Sequence, residues 1–330
     1  SANAGKDEKM PENRQKEHSM GNFQICLDAT APLLLYLAAG YLARRLKQID
    51  SQDVSRFNSV VFNFFLTVNQ FKSIYFSDLS TAVRPGLILF SALGVLTSCG
   101  IGLALSSKLL PREQRGVMTQ GIFRSNFVLI GLYIAETLVP DGSVGSVAVL
   151  GAIVIPLFNV LAVVVLSLYG GGRVSFRSIF IKVLKNPLIL STAAGLLCLW
   201  LRVPLPRFVQ TAVRQMAAVS TPMMLFLLGA FFRFDALSRY RKQVVLGASM
   251  KLLVMPAIFL TLGYCLGFRG MEFAALLGVF ATSTAVSSFA MTRQLGGDVE
   301  LSGALIVVTS TLCPFTLFLW CFLFKSLGAF

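Results

Sequence analysis

An all-α polytopic membrane protein, with ten transmembrane helices arranged as two inverted five-helix repeats, is the fold this sequence predicts. Three observations carry that expectation. The chain is 55% hydrophobic and 13% charged, it contains ten apolar segments long enough to cross a bilayer, and its two halves repeat at an offset of 155 to 158 residues.

Soluble domains carry roughly a quarter of their residues as charges, so water is not the main solvent here. A spanning helix needs about 20 predominantly apolar residues. Such segments lie at 27–44, 57–76, 85–106, 117–138, 143–168, 186–201, 212–232, 243–266, 271–293 and 299–323. The sixth is short because Arg202 and Pro204 follow it closely, and it reads as a tilted or partly re-entrant helix. Residues 1–25 are polar with nearly balanced charges and read as a disordered tail. No charged start with a short apolar stretch and a small-residue cleavage site precedes the first helix, so a cleaved signal peptide is not expected. The division is then a tail (1–25), a first repeat (26–168), a linker (169–185) and a second repeat (186–330).

The net charge of +14 would suggest nucleic-acid binding in a soluble protein. Here topology explains it, and no nucleic-acid partner is expected. The loops after the odd-numbered helices hold sixteen Lys and Arg, among them Arg44, Arg45, Lys47 and Arg233, against seven in the opposite loops and C-terminus. The positive-inside rule therefore puts the N-terminus outside. The six cysteines fall in or beside apolar segments without Cys-x-x-Cys spacing and read as packing residues. The only histidine, His18, is in the tail, so no His-based metal site or Ser-His-Asp triad can form in the membrane. Neither an enzyme nor a bound cofactor is expected.

The repeat is visible in the first helix of each half. Pro32-LLLYLAAGYL and Pro187-LILSTAAGLL share seven of eleven positions, including the proline and Ala-Ala-Gly. Gly121-Ile-Phe123 in helix 4 matches Gly278-Val-Phe280 in helix 9, and helices 5 and 10 carry Pro156 and Pro314. Each half has five spans, an odd number, so the second half must be inverted relative to the first, as in many secondary transporters.

In such folds the site lies near the midplane, where interrupted helices line a cavity. Helix 4 carries Arg124, Ser125 and Asn126 inside its span, and helix 9 carries Thr282, Ser283, Thr284, Ser287 and Ser288 at the matching place. Such residues compete for backbone hydrogen bonds, so both helices are expected to break there and to aim N-terminal ends at one spot that attracts a carboxylate. The blander alternative is that these side chains only glue helices together. Arg124 either touches substrate or snorkels to the cytoplasmic interface. Asn63 and Asn159 are added as substrate-binding candidates, and Asn69 and Gln70 as residues lining the pathway. Lys251 in helix 8 is expected to pair with the broken region, and Glu136 is the acidic candidate for proton coupling.

The chain resembles the auxin efflux carrier family, which includes plant PIN-type exporters and bacterial permeases for malate and malonate. The resemblance rests on Asn186-PLILSTAAGLL, Ala218-VSTPMMLFLLGAFF, Lys251-LLVMP and Thr284-AVSSFAMTRQLGGD. It implies a fold like that of bile-acid symporters and sodium–proton antiporters, with helices 4 and 9 broken and crossed. It also implies a scaffold of helices 1, 2, 6 and 7 and a homodimer joined through it. Asn126 matches the family's helix 4 asparagine, and Val286 to Ser288 match its helix 9 crossover. The chain departs from the pattern at Tyr133, Leu66-Thr67 and Ser283, where the family commonly has prolines. The expected function is secondary transport of a small organic anion, driven by protons or the membrane potential, in a bacterial inner membrane. A membrane ligand sensor is the alternative, and a channel is disfavoured because matched helix breaks suit alternating access.

Overall fold

The computed structural model describes residues 31–76, 84–127, 131, 138, 145–170, 180–181 and 183–329. The predicted tail, Glu136 and most of the predicted linker lie outside the described residues. Those described are helical, with no strand among them.

Helix α1 covers 31–45, and the chain turns through Lys47, whose φ of 57° is left-handed. Asp50 then opens α2 (Ser51–Val60) through a capping box with Asp53. A π-helical stretch, Val61–Leu66, joins α2 to α3 (Thr67–Tyr75), and Thr67 Oγ1 donates to the Phe62 carbonyl within it. There follow α4 (Pro85–Leu109), α5 (Arg112–Phe123) and α6 (Gly145–Tyr169). The second half begins at α7 (Pro187–Trp200), where Asn186 caps the N-terminus by accepting from Leu188 N and Pro187 occupies the first turn. The predicted short sixth segment is thus one 14-residue helix. Next come α8 (Arg207–Phe231), the short α9 (Phe234–Arg239), α10 (Arg241–Ser249), a second π stretch (Met250–Val254) and α11 (Met255–Cys265). The chain ends in α12 (Gly270–Phe280), α13 (Ser287–Leu295) and α14 (Val299–Ser326).

Five of these runs are long and apolar enough to cross a membrane: Pro85–Leu109, Val149–Tyr169, Arg207–Phe231, Arg241–Cys265 and Val299–Ser326. Large apolar side chains cover the outer faces of α4 and α14. Leu89, Leu93 and Leu96 on α4, and Phe315, Leu319 and Phe322 on α14, stand exposed at helical spacing. In water such stripes would aggregate; against hydrocarbon they are matched to their solvent. The chain is therefore read as a multi-pass membrane protein.

Helix contacts are made at glycines, as expected where lipid removes any hydrophobic drive between helices. A Cβ on Gly40 would stand 1.9 Å from the Phe226 carbonyl oxygen, and one on Gly229 would stand 2.0 Å from that of Leu37, so α1 and α8 touch backbone to backbone. The π stretch before α11 has a local cause. Pro256 has no N–H to offer the Leu252 carbonyl four residues earlier, and Trp320 Nε1 on α14 donates to that carbonyl at 2.9 Å. The bond fixes the part of the helix that carries Lys251.

Candidate functional site

Two of the apolar segments are interrupted, and they meet at their interruptions. α5 ends at Phe123, after which Arg124 and its neighbours run extended; α12 ends at Phe280 and the helix resumes only at Ser287. The unwound stretches pair antiparallel with Ser125 opposite Thr284. Asn126 N donates to the Ser283 carbonyl at 2.9 Å and Ala285 N to that of Arg124 at 3.3 Å. Close packing needs bare backbone: a Cβ on Gly278 would stand 2.8 Å from the Gly131 Cα.

A helix that stops inside a membrane leaves carbonyls that water cannot satisfy. Here the hydroxyls of the crossing satisfy them. Thr284 Oγ1 donates to the Gly121 carbonyl of α5 at 2.8 Å, and Ser125 Oγ donates to the Val279 carbonyl of α12. Thr282 Oγ1 donates to the Gly278 carbonyl at 3.0 Å, and Thr309 Oγ1 on α14 accepts from Thr284 N at 3.3 Å. Lys251 Nζ, 1% exposed on the π stretch, donates to Ser125 Oγ.

Beside the crossing lies a cavity of about 60 Å³, room for several waters. Arg124, Ser125, Asn126, Val286 and Ser287 supply one wall, Asn159 of α6 joins them, and Asn69, Gln70, Thr221 and Met224 of α3 and α8 supply the other. Arg124 is 4% exposed, so it does not snorkel. Its guanidinium donates to Asn159 Oδ1 at 2.7 Å, to Gln120 Oε1 at 3.4 Å and to the Met291 sulfur. Among the described residues no ion pair involves Arg124 or Lys251, and no Asp or Glu lines the cavity. Three buried amide nitrogens, Gln70 Nε2, Asn126 Nδ2 and Asn159 Nδ2, have no partner among the described residues. Because Asn159 Oδ1 is held by Arg124, its free end is the donor. Unpartnered buried donors are rare and costly. These three gather with a guanidinium around one space, and the group they suit is an anion.

The predicted residues fall into four groups. Arg124, Ser125, Asn126, Asn159, Val286 and Ser287 line the cavity. Thr284, Ser288 and Lys251 are buried behind it: Thr284 holds a helix end, the Ser288 hydroxyl has no partner among the described residues, and Lys251 reaches the site through Ser125. Asn63 does not reach it and is exposed. On an uninterrupted α-helix Asn63 and Gln70, seven residues apart, would share a face; the wider π stretch between them turns Asn63 away by roughly one residue's rotation, about 100°. Glu136 lies outside the described residues. The sequence reading passed over Gln120, whose Nε2 donates to the Ser288 carbonyl and to Thr292 Oγ1 at 3.3 and 3.2 Å. It also passed over Thr221, whose one signal is a hydroxyl beside Pro222 within an apolar run.

Comparison with known proteins gives two likenesses. Residues 171–321 match the model of a family described as membrane transport protein. Over 312 residues the chain is 23% identical to an "uncharacterized transporter" of Methanothermobacter thermautotrophicus, covering 91% of this chain and 98% of that one. Together with the apolar helices, these likenesses support a multi-pass membrane transport protein rather than an enzyme.

Proposed function

We propose that the chain is a secondary transporter that moves a small organic anion, a carboxylate, by alternating access, with the binding site at the crossing of the two broken helices. The observation that carries this reading is that, among the described residues, the Arg124 guanidinium and three partnerless amide donors converge on a cavity that no carboxylate lines. A bound carboxylate would take up those donors and compensate a buried cation that is otherwise costly. Lys251, one hydroxyl further back, adds a second positive charge to the same region.

Inverted repeats fit the same geometry. A two-fold axis through the crossing must pair residues that the repeat makes equivalent. The offset of 157 residues that aligns Gly121 with Gly278 also aligns Asn126 with Ser283, and these two are bonded. The cavity walls divide between α3 and α8 on one side and the crossing on the other. Rocking one group against the other would open the site alternately to each side. The loop charges put the N-terminus outside a bacterial cell membrane, the family resemblance supplies the homodimer, and protons are the proposed coupling ion.

The test is binding of a panel of mono- and dicarboxylates to purified protein by thermal shift or scintillation proximity, repeated with Asn126→Ala and Arg124→Gln. Saturable binding lost in both variants, followed by flux in liposomes with an imposed pH gradient, is the expected result. Binding that survives both substitutions removes the site from the crossing. Saturable binding without flux makes the protein a ligand sensor.

A further inference from the structure

At the C-terminal end of α1 the structure holds a second polar space, which shares no lining residue with the cavity at the crossing. A cavity of about 680 Å³ is bordered by Arg44, Arg45 and Lys47 at the end of α1 and by Arg233 after α8, with Asp235 and Glu300 as its acidic members. Both acids are already engaged. Asp235 pairs with Arg233 at 3.2 Å and Arg239 at 3.5 Å, and Glu300 pairs with Arg239 at 2.8 Å. Arg45 is held at the rim: its Nε donates to the Tyr41 hydroxyl at 2.8 Å and its guanidinium lies 5.3 Å from that ring's centre. Counting those lining residues, four cations face two carboxylates, and the space carries a net positive charge.

A second cavity, of about 520 Å³, continues from it and shares Tyr41, Phe232 and Phe234. Its character is the opposite. Leu34, Leu37 and Ala38 of α1 face Val307, Val308 and Leu312 of α14 across it. From Tyr41 to Leu34 is seven residues, about 10 Å along a helix axis, so the groove descends from the charged rim well into the depth of the hydrocarbon. Ala38, Phe234 and Leu312 are exposed, which leaves the groove open sideways to whatever surrounds the helices. Its floor is the close α1–α8 contact at Gly229, where no side chain is available to fill it.

A basic, roomy mouth continuous with an apolar slot has the shape and polarity of one amphiphile. We propose that this is a binding site for a phospholipid with an anionic headgroup: phosphate and headgroup over Arg44, Arg45, Lys47 and Arg233, one acyl chain along the groove between α1 and α14. Charge complementarity selects the headgroup, since a zwitterionic lipid offers the same phosphate with a cation beside it that this rim repels. Bulk negative surface potential would reward the same residues wherever they lay; a site differs in needing the groove as well. The inference rests only on the chain crossing a membrane and is independent of what it transports.

The experiment is native mass spectrometry and thermal shift on delipidated, detergent-purified protein. The probes are dioleoyl phosphatidylglycerol, dioleoyl phosphatidylcholine, dihexanoyl phosphatidylglycerol and sn-glycerol 3-phosphate. The expected result is retention of one dioleoyl phosphatidylglycerol with a rise of several degrees in Tm, and at least about tenfold weaker binding, about 1.4 kcal/mol, of each other probe. The variant Arg44→Gln/Arg45→Gln/Lys47→Gln should melt like the parent without lipid and lose the shift with it. Val308→Trp, which fills the slot, should lose it with the basic rim intact. Equal retention of the choline and glycerol lipids, equal stabilisation by glycerol phosphate, or dimerisation that Val308→Trp abolishes would each overturn the proposal, in favour of unspecific lipid, a free-phosphate site or a second copy of the chain respectively. Loss of carboxylate binding at the crossing would leave it untouched.

Discussion

Ser125 and Thr284 face each other across the crossing, and each closes the helix that the other's unwound segment has left. Ser125 donates to the Val279 carbonyl of the second broken helix, and Thr284 donates to the Gly121 carbonyl of the first at 2.8 Å. The exchange explains how backbone can be unwound within a membrane-spanning bundle: the orphan carbonyls of one helix are met by hydroxyls of the other. Thr284→Val keeps the shape and removes the donor, and is expected to cost about 1–3 kcal/mol, the penalty for a buried acceptor left unmet. Thr284→Ser should restore most of it. Melting of the purified variants checks the pair, and an unchanged Tm in Thr284→Val would mean that the carbonyl finds another donor.

Gly278 is required by distance rather than by conformation. Its missing Cβ would stand 2.8 Å from the Gly131 Cα, backbone against backbone, so Gly278→Ala must push the two broken helices apart. An overpacking cost of about 1–3 kcal/mol is expected, with anion binding lost alongside. Gly100 in α4 has nothing within 4 Å of its missing Cβ. There the same substitution should be neutral or stabilise by up to about 1 kcal/mol through helix propensity. Parallel Tm and binding measurements on both variants separate crowding at the crossing from a general intolerance of alanine.

The crossing was legible in the sequence because it breaks a rule there: Arg124-Ser-Asn and the Ser/Thr run from Thr282 to Ser288 interrupt segments that otherwise read as spans. Lys251 was legible as a charge where none is cheap, and it bonds to Ser125 in the interrupted region it was expected to pair with. What was not legible is what depends on rotation and on neighbours. Asn63 and Gln70 are both buried-looking amides on one helix, and only the π stretch between them decides which faces the cavity. Gln120 is the fourth residue of the predicted span 117–138, where a glutamine reads as interfacial; in the structure it lies in the last turn of α5, directly before the break. Thr221 and Met224 matter only because α8 packs opposite the crossing, a relation no local pattern encodes.

Arg124 uses its shape as well as its charge. One guanidinium reaches Asn159, Gln120 and Met291 from a single planar fork, which a lysine ammonium cannot reproduce. Arg124→Lys keeps the charge, so it should remain folded yet bind carboxylate at least about tenfold more weakly, about 1.4 kcal/mol. Titration of the variant with the best ligand from the panel checks this. Affinity equal to the parent's would reduce Arg124 to a point charge.

At the membrane surface the cap of α2 gives a pH-dependent term. Asp50 Oδ1 accepts from Asp53 N at 2.8 Å and Gln52 N at 2.6 Å, and these bonds, that from Asp53 foremost, hold its carboxyl below the ordinary carboxylate value. A lowered folded-state value means that the stabilisation is present above the unfolded value, near 3.9, and fades as pH falls through the folded one. Asp50→Asn retains an acceptor without the titration. The Tm difference between parent and variant should therefore shrink between about pH 5 and pH 3, and a difference that is flat over that range removes the carboxylate from the cap's energetics.

Lys251 allows the transport reading and a purely structural one to be told apart. Its ammonium is buried, one acceptor, Ser125 Oγ, is described for it, and no carboxylate pairs with it among the described residues. A cation in that position is expensive, and replacing a buried charge by an apolar side chain of similar length is often neutral or stabilising. If Lys251 serves the anion, Lys251→Met should melt at or above the parent's temperature while losing at least about tenfold in carboxylate affinity, about 1.4 kcal/mol. If Lys251 serves only to hold Ser125 and the end of α12, the same variant should melt lower and bind as before once folded. We expect the first outcome. The structure gives Ser125 a second bond, to the Val279 carbonyl, that survives the loss of the lysine, whereas nothing else behind the cavity replaces its charge among the described residues.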